Sequence, residues 1–273
     1  MRNFWIRLLS SITLVLIALA AIYCGGIVLA AILFIISLIG YRELLRACKL
    51  TDPVNKVNGL EIIGYLAIAA SYAALFFGDG RSLLFVVIVV SLVAFMVLYV
   101  LRFPFYHAHQ VMEAFFCFLY APVMLSCIYL TRHLENGIYF VWLIFLSSWI
   151  CDSCAYCVGM LWGRHKLAPN LSPKKSIEGA LGGILGAMGA GALYGAFFVN
   201  RMVPELSVTL TFAVICGIGA MIAQIGDLAA SAIKRNHEIK DFGKLIPGHG
   251  GIMDRFDSVI FTAPVIYALA VLV

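Results

Sequence analysis

The chain has 273 residues, of which 63% are hydrophobic and only 12% charged, with a net charge of +5. Soluble domains are about 45–50% apolar and about 25% charged, so this composition excludes an ordinary water-soluble fold, and it excludes disorder, which needs a polar chain. The eight cysteines, Cys24, Cys48, Cys117, Cys127, Cys151, Cys154, Cys157 and Cys216, lie mostly inside apolar runs, as small hydrophobes do, and not in the short polar framework of a disulfide scaffold. In such a chain Lys and Arg report membrane topology and not a nucleic-acid partner.

A helix needs about 20 apolar residues to cross a bilayer core. The uncharged stretch Leu8 to Gly40 is too long for one span, and Gly25-Gly26 interrupts it, so it reads as two short helices with a tight turn between them. Arg2 and Arg7 precede the first run in the manner of a signal peptide, but no small-x-small cleavage site follows, and the segment is read as a retained first helix. Further spans are predicted over 60–78, 82–101, 114–131, 137–162, 179–199, 206–230 and 258–273. The fold class expected is an all-α polytopic membrane protein with about nine spans and no strand pattern. It divides into an N-terminal set of about five spans (1–136) and a C-terminal region of about four spans with polar loops between them (137–273). Glycines 179, 182, 183, 186, 189, 191 and 195 fall in the seventh span at spacings that suit close helix packing.

Nine spans place Arg2 and Arg7, the Arg42–Lys56 cluster, Arg102, the Arg164–Lys175 cluster and the Lys234–Arg255 cluster on one side. That is 16 of the 19 basic residues. Only Arg81, Arg132 and Arg201 fall on the other. The positive-inside rule therefore predicts a cytoplasmic N-terminus and an outside C-terminus.

The two cytoplasmic loops after spans six and eight hold most of the unusual residues. Asp152 lies in span six, where an intramembrane carboxylate needs a reason, and is expected to line a cytoplasm-facing cavity; Asp227 closes span eight. The last loop concentrates Lys234, Arg235, Lys240 and Lys244, then turns through Pro247-Gly248-His249-Gly250-Gly251, whose bare backbone amides can approach an anion closely. Asp254 and Asp257 follow, three residues apart, with Arg255 between them. Carboxylates beside cations and a glycine turn suit a polyphosphate with Mg²⁺, which takes oxygen ligands from one or two carboxylates plus substrate phosphates. In the earlier loop, Ser172-Pro173-Lys174-Lys175-Ser176 stands just before the seventh span, where Ser172 or Ser176 would cap the helix and the lysines would meet a phosphate. The Cys151-x-x-Cys154-x-x-Cys157 run lacks the fourth cysteine and the proline of a ferredoxin cluster. His107 and His109 have no acidic or cysteine partner at metal spacing, and no GxxxxGK[ST] loop occurs.

From Ser231 to Asp257 the chain resembles the signature of the CDP-diacylglycerol synthases, also called phosphatidate cytidylyltransferases. Ser231, Lys234, Arg235, Lys240, Asp241, Gly243, Pro247, His249, Gly250, Gly251, Asp254, Arg255 and Asp257 match its fixed positions. Asp152, Ala155-Tyr156 and Gly159 resemble the family's D-x-x-A-Y-x-x-G segment, Ser172 to Lys175 with Glu178-Gly179 its S-P-K-K-x-x-E-G segment, and Gly226-Asp227 its G-D pair. Cys154 stands where the family has a glycine, a change between small residues.

The resemblance implies an integral-membrane nucleotidyltransferase of phospholipid biosynthesis. It would make CDP-diacylglycerol and pyrophosphate from CTP and phosphatidate, with Mg²⁺ and room for a second cation. It further implies a homodimer and a bacterial cytoplasmic membrane, with the site open to the cytoplasm. Asp227, Asp254 and Asp257 would then be catalytic and metal-holding, joined by Lys240 and Asp241. Ser172, Lys174, Lys175, Lys234, Arg235, His249, Gly250, Gly251 and Arg255 would bind the substrates. A CTP-dependent polyprenol kinase would need a base for its alcohol acceptor and does not share the signature. An ion-coupled transporter would be expected to repeat its motifs in both halves, whereas here the polar motifs all lie in the second half.

Overall fold

The structure, a computed structural model, describes residues 13, 15–51, 57–78, 80–202, 208–245 and 250–273. Arg2, Arg7, Lys56, Pro247, Gly248, His249 and the start of the first predicted span lie outside the described residues. Among the described residues a short apolar helix, α1 (Val15–Cys24), precedes eight helices long and apolar enough to cross a membrane. They are α2 (Gly26–Ala47), α3 (Gly59–Phe77), α4 (Gly80–Leu101), α5 (Ala108–Arg132), α6 (Gly137–Trp162), α7 (Ile177–Val199), α8 (Thr209–Asn236) and α9 (Met253–Leu272). The all-α membrane class holds. The break between the first two helices falls where it was expected, because Gly25 and Gly26 take positive φ values of 61° and 46° that only glycine adopts at no steric cost.

Four boundaries differ from the sequence expectation by five residues or more, all toward longer helices. The second runs on to Ala47 and so takes in Glu43, the fifth begins at Ala108, the eighth runs on to Asn236, and the ninth begins at Met253 and so takes Asp254 and Asp257 into helix. A hydropathy pattern stops at the first charges, whereas a helix continues past the bilayer wherever its backbone stays hydrogen-bonded. One stretch expected to be loop is ordered as well. β1 (Lys166–Ala168) and β2 (Ser172–Ser176) pair antiparallel, with Lys166 opposite Ser176 and Ala168 opposite Ser172. Strands of three and five residues are too short to show an alternating pattern in sequence.

The chain divides into two units, one formed by residues 1–130 and 237–255, the other by 131–236 and 256–273. In the first unit α3 starts from a reciprocal capping box: Asn58 accepts from Glu61 N–H and Glu61 accepts from Asn58 N–H, both at 2.9 Å. Tyr41, Leu44, Leu45, Leu60, Ile68 and Phe95 are fully buried in this unit. By contrast, α4 buries only Leu84, Ser91 and Phe95 and otherwise presents apolar side chains outward, as a helix against lipid does.

The second unit is organised around α7. Gly179, Gly183, Ala187 and Gly191 recur every four residues and are buried, the small-residue stripe foreseen in the sequence. A Cβ added at Gly179 would sit 2.7 Å from the Ala155 carbonyl oxygen of α6, and one at Gly191 would sit 2.5 Å from the Phe212 carbonyl oxygen of α8. The stripe therefore lets α7 approach two neighbours at backbone distance. A π-type segment at Leu146–Ile150 precedes Cys151–Trp162 in α6. The extra residue in that turn re-phases the helix, as such bulges do near functional positions. It leaves Cys151 buried and Asp152 exposed.

Candidate active site

Within the second unit α6, α7, α8 and the β2 strand surround a cavity of about 350 Å³. Asp152, Lys174, Lys175 and Asp227, four of the residues singled out in the sequence, line it together with Ser176 and Gln224. Each is placed by a local device. Ser176 ends β2 and caps α7, accepting the Gly179 N–H at 3.2 Å, so of the two capping candidates it is Ser176 that serves. Glu178, in the first turn of α7, accepts the N–H groups of Arg164 and His165 at 3.1 and 3.2 Å and meets His165 Nδ1 at 2.6 Å. This ties the entry of the hairpin to the helix that the hairpin feeds, and holds the two lysines of β2 beside the cavity.

Lys175 Nζ lies 2.5 Å from Asp227 Oδ2. The ammonium nitrogen is buried, and no other described residue takes its remaining donors. An ammonium carries three donors, so the pair leaves hydrogen-bonding capacity for an anion. Asp227 is brought to this point by its predecessor. A Cβ at Gly226 would be 2.8 Å from the Asp257 carbonyl oxygen and 2.9 Å from Phe261 Cβ, so only glycine lets α8 and α9 pack this closely. Asp257 itself lies within electrostatic reach of Asp227, Asp152 and Lys234, and its Oδ1 accepts the Ser258 N–H at 2.9 Å. Ser172 is paired into the hairpin, and Arg235 is exposed at the end of α8; neither lines the cavity.

The remaining predicted residues belong to the first unit. Asp254 is buried, and its Oδ2 accepts the N–H groups of Phe242 at 2.8 Å and Gly251 at 3.0 Å. One carboxylate oxygen thus holds Phe242 and Gly251 beside the first turn of α9. Gly250 adopts φ +83°, and a Cβ there would meet Asp254 Oδ2 at 2.8 Å, so both its backbone conformation and its neighbour require glycine. Lys240, Asp241 and Arg255 are exposed. His249 lies outside the described residues.

Sequence reasoning passed over one residue here. Glu43, on the last turns of α2, is buried, and its carboxylate accepts the Ile252 N–H at 3.1 Å and the Met253 N–H at 2.9 Å. These are orphan donors at the start of α9, where a carboxylate is also favoured by the helix dipole. A Cβ at Gly243 or Gly251 would collide with this carboxylate. Gly251, read in the sequence as part of a turn open to an anion, makes room for Glu43. The available signal was one acidic residue inside the otherwise cationic Arg42–Lys49 run.

Among the described residues no three or more His, Cys, Asp or Glu side chains form a metal cage. Of the cysteine run, Cys151 Sγ contacts Gln224 and the Ala220 carbonyl, and Cys154 packs where a Gly186 Cβ would lie.

Acidic and cationic side chains converge on this cavity, a combination chemically suited to a phosphate-bearing ligand with a cation. The chain belongs to the cytidylyltransferase family, whose model matches residues 5–273. It is similar over nearly its whole length to proteins named phosphatidate cytidylyltransferase. That of Staphylococcus epidermidis strain RP62A is 32% identical over 274 residues, covering 97% of this chain and 98% of the relative. That of Staphylococcus aureus strain COL is 31% identical over 278 residues with the same coverage, and that of Staphylococcus saprophyticus 30% over 274.

Proposed function

We propose that this integral membrane enzyme transfers the cytidylyl group of CTP to phosphatidate, giving CDP-diacylglycerol and pyrophosphate. A phosphatidate oxygen forms the new bond to the α-phosphorus of CTP, and the bond from that phosphorus to the β-phosphate bridge breaks. The acceptor is already an anion near neutral pH, so the reaction needs positioning and charge neutralisation more than a strong base. The observation that carries the reading is the Lys175–Asp227 pair on the cavity wall. It joins a donor with capacity for phosphate to an acceptor with capacity for a cation.

In this reading Lys175 and Lys174 hold phosphate oxygens at the cavity, and Lys234, Arg235, Lys240 and Arg255 supply further positive charge. Asp227 and Asp257 hold a Mg²⁺ ion, with Asp152 lining the cavity beside them. The donor set fits the ion, because Asp227 already faces a cationic group in Lys175 and magnesium needs few protein carboxylates. Bound there, Mg²⁺ would neutralise triphosphate charge and ease departure of pyrophosphate. On the resemblance alone, Asp254 is assigned a metal-holding role alongside its backbone bonds, Lys240 and Asp241 are assigned catalytic roles, and His249, Gly250 and Gly251 are assigned to substrate binding. Ser172 steadies the hairpin that carries the lysines. The basic-residue count supports a cytoplasmic N-terminus and a site facing CTP, in a bacterial cytoplasmic membrane, and we assign the enzyme a homodimeric state.

Purified protein given labelled CTP, phosphatidate and Mg²⁺ will form a lipid-soluble CDP product, and magnesium chelation will stop it. Absence of product with the wild-type protein across Mg²⁺ concentrations and detergents overturns the reading.

A further inference from the structure

Gln224 stands on α8 three residues before Asp227, a rise of about 4.5 Å along the helix, and both residues line the cavity. The orientation of its amide is settled by its neighbours. Nε2 lies 3.0 Å from the Ala180 carbonyl oxygen, which only accepts. The same nitrogen lies 3.3 Å from Cys151 Sγ. That thiol directs its own hydrogen to the Ala220 carbonyl oxygen at 3.7 Å, so toward Gln224 it acts as the acceptor. The two amide hydrogens are thereby committed, one to α7 and one to α6. What Gln224 has left to offer a ligand is its carbonyl oxygen Oε1, an acceptor that cannot exchange places with the amine.

A glutamine free to flip reads nothing, because it offers a donor or an acceptor on demand. A pinned one discriminates. Cytosine and uracil differ at position 4, where cytosine carries an amino donor and uracil a carbonyl acceptor. The surroundings suit a base: Ala155, Met160 and Leu167 give the cavity apolar walls, and the Tyr156 ring, 70% exposed, offers a face for stacking. Lys175 and Asp227, one turn along, mark the phosphate end.

We propose that Gln224 reads the nucleobase: its Oε1 accepts a hydrogen bond from the 4-amino group of cytosine and turns away uracil, whose 4-oxo group would set one carbonyl oxygen against another. The inference rests on CTP being the nucleotide substrate, and its test separates the two. The first measurement compares CTP, UTP and the 2-pyrimidinone ribonucleoside triphosphate, which is CTP with hydrogen in place of the amino group, on the wild-type protein. Lipid product should form from CTP, with kcat/KM about 10- to 100-fold lower for the 2-pyrimidinone analogue and lower still for UTP. The second repeats the comparison with Gln224→Met and with the more conservative Gln224→Asn, which withdraws the carbonyl by one methylene. In either variant the preference for CTP over the analogue should fall to within about 3-fold of unity, through a higher KM for CTP with little change in kcat.

Merely structural damage would instead lower the rate with all three nucleotides alike. Equal use of CTP and the analogue by the wild-type protein overturns the inference even if neither variant folds. So does a folded variant that keeps the full discrimination. No lipid product from CTP at all would instead sink the proposed function.

Discussion

The two units use their carboxylates differently. In the first, Glu43 and Asp254 are buried and bonded to backbone N–H groups of Phe242, Gly251, Ile252 and Met253. In the second, Asp227 faces the ammonium of Lys175, and Asp152 faces an open cavity. A carboxylate bound to backbone amides fixes a shape, since those donors have nowhere else to go once water is excluded. A carboxylate bound to a side-chain cation is held by an exchangeable partner: an arriving phosphate competes for the lysine while an arriving metal competes for the aspartate. Glu43 and Asp254 therefore fix backbone shape, whereas Asp227 and Asp152 stand where the proposed function needs exchangeable charge, although all four belong to the same scarce set of charges.

Four experiments can break or sharpen that contrast. The largest effect is expected for Asp227→Asn, which should lower kcat for CDP-diacylglycerol formation by about 10³-fold while leaving the thermal unfolding midpoint in detergent almost unchanged. A folded Asn variant with near wild-type turnover would remove Asp227 from the reaction. Glu43→Ala should act in the opposite way, orphaning two buried N–H donors and lowering stability by about 3 kcal/mol, read as a fall in the unfolding midpoint. Full retention of the midpoint alongside lost turnover would move Glu43 into the reactive class. Lys175→Met should raise the KM for CTP by about 10- to 100-fold, measured at saturating Mg²⁺ and phosphatidate. An unchanged KM would leave the Lys175–Asp227 pair a structural tie. Ser176→Ala removes the cap of α7 and should cost about 1 kcal/mol, a small midpoint shift with activity largely kept. A loss of turnover larger than the loss of stability would show that the cap also positions Lys175.

The spans were readable because each depends on its own residues. In lipid a helix satisfies its backbone internally, so an apolar window of the right length is nearly sufficient evidence for a crossing. The glycine stripe of α7 was readable for the same reason, since a four-residue period is a local property. The hairpin was not, because its five-residue strand gains its order from Glu178 and the register with β1. Of the candidate site, Asp152, Lys174, Lys175 and Asp227 stood out as charges in or beside apolar segments, and they meet at one cavity. Gln224 did not stand out. A neutral amide in a long helix carries no signal until the acceptors around Nε2 are known.

The sequence alone determined that this is a helical membrane protein, where its long apolar helices lie, and which two loops gather its scarce charges, because hydropathy and charge act locally and add along the chain. Only the tertiary structure decided what each polar group does. Glu43 reaches the start of α9 from 209 residues away, and the amide of Gln224 takes its direction from Cys151 and Ala180 on two other helices. In an interior without water a polar group is defined by the partner it finds there, and that partner can come from anywhere in the chain.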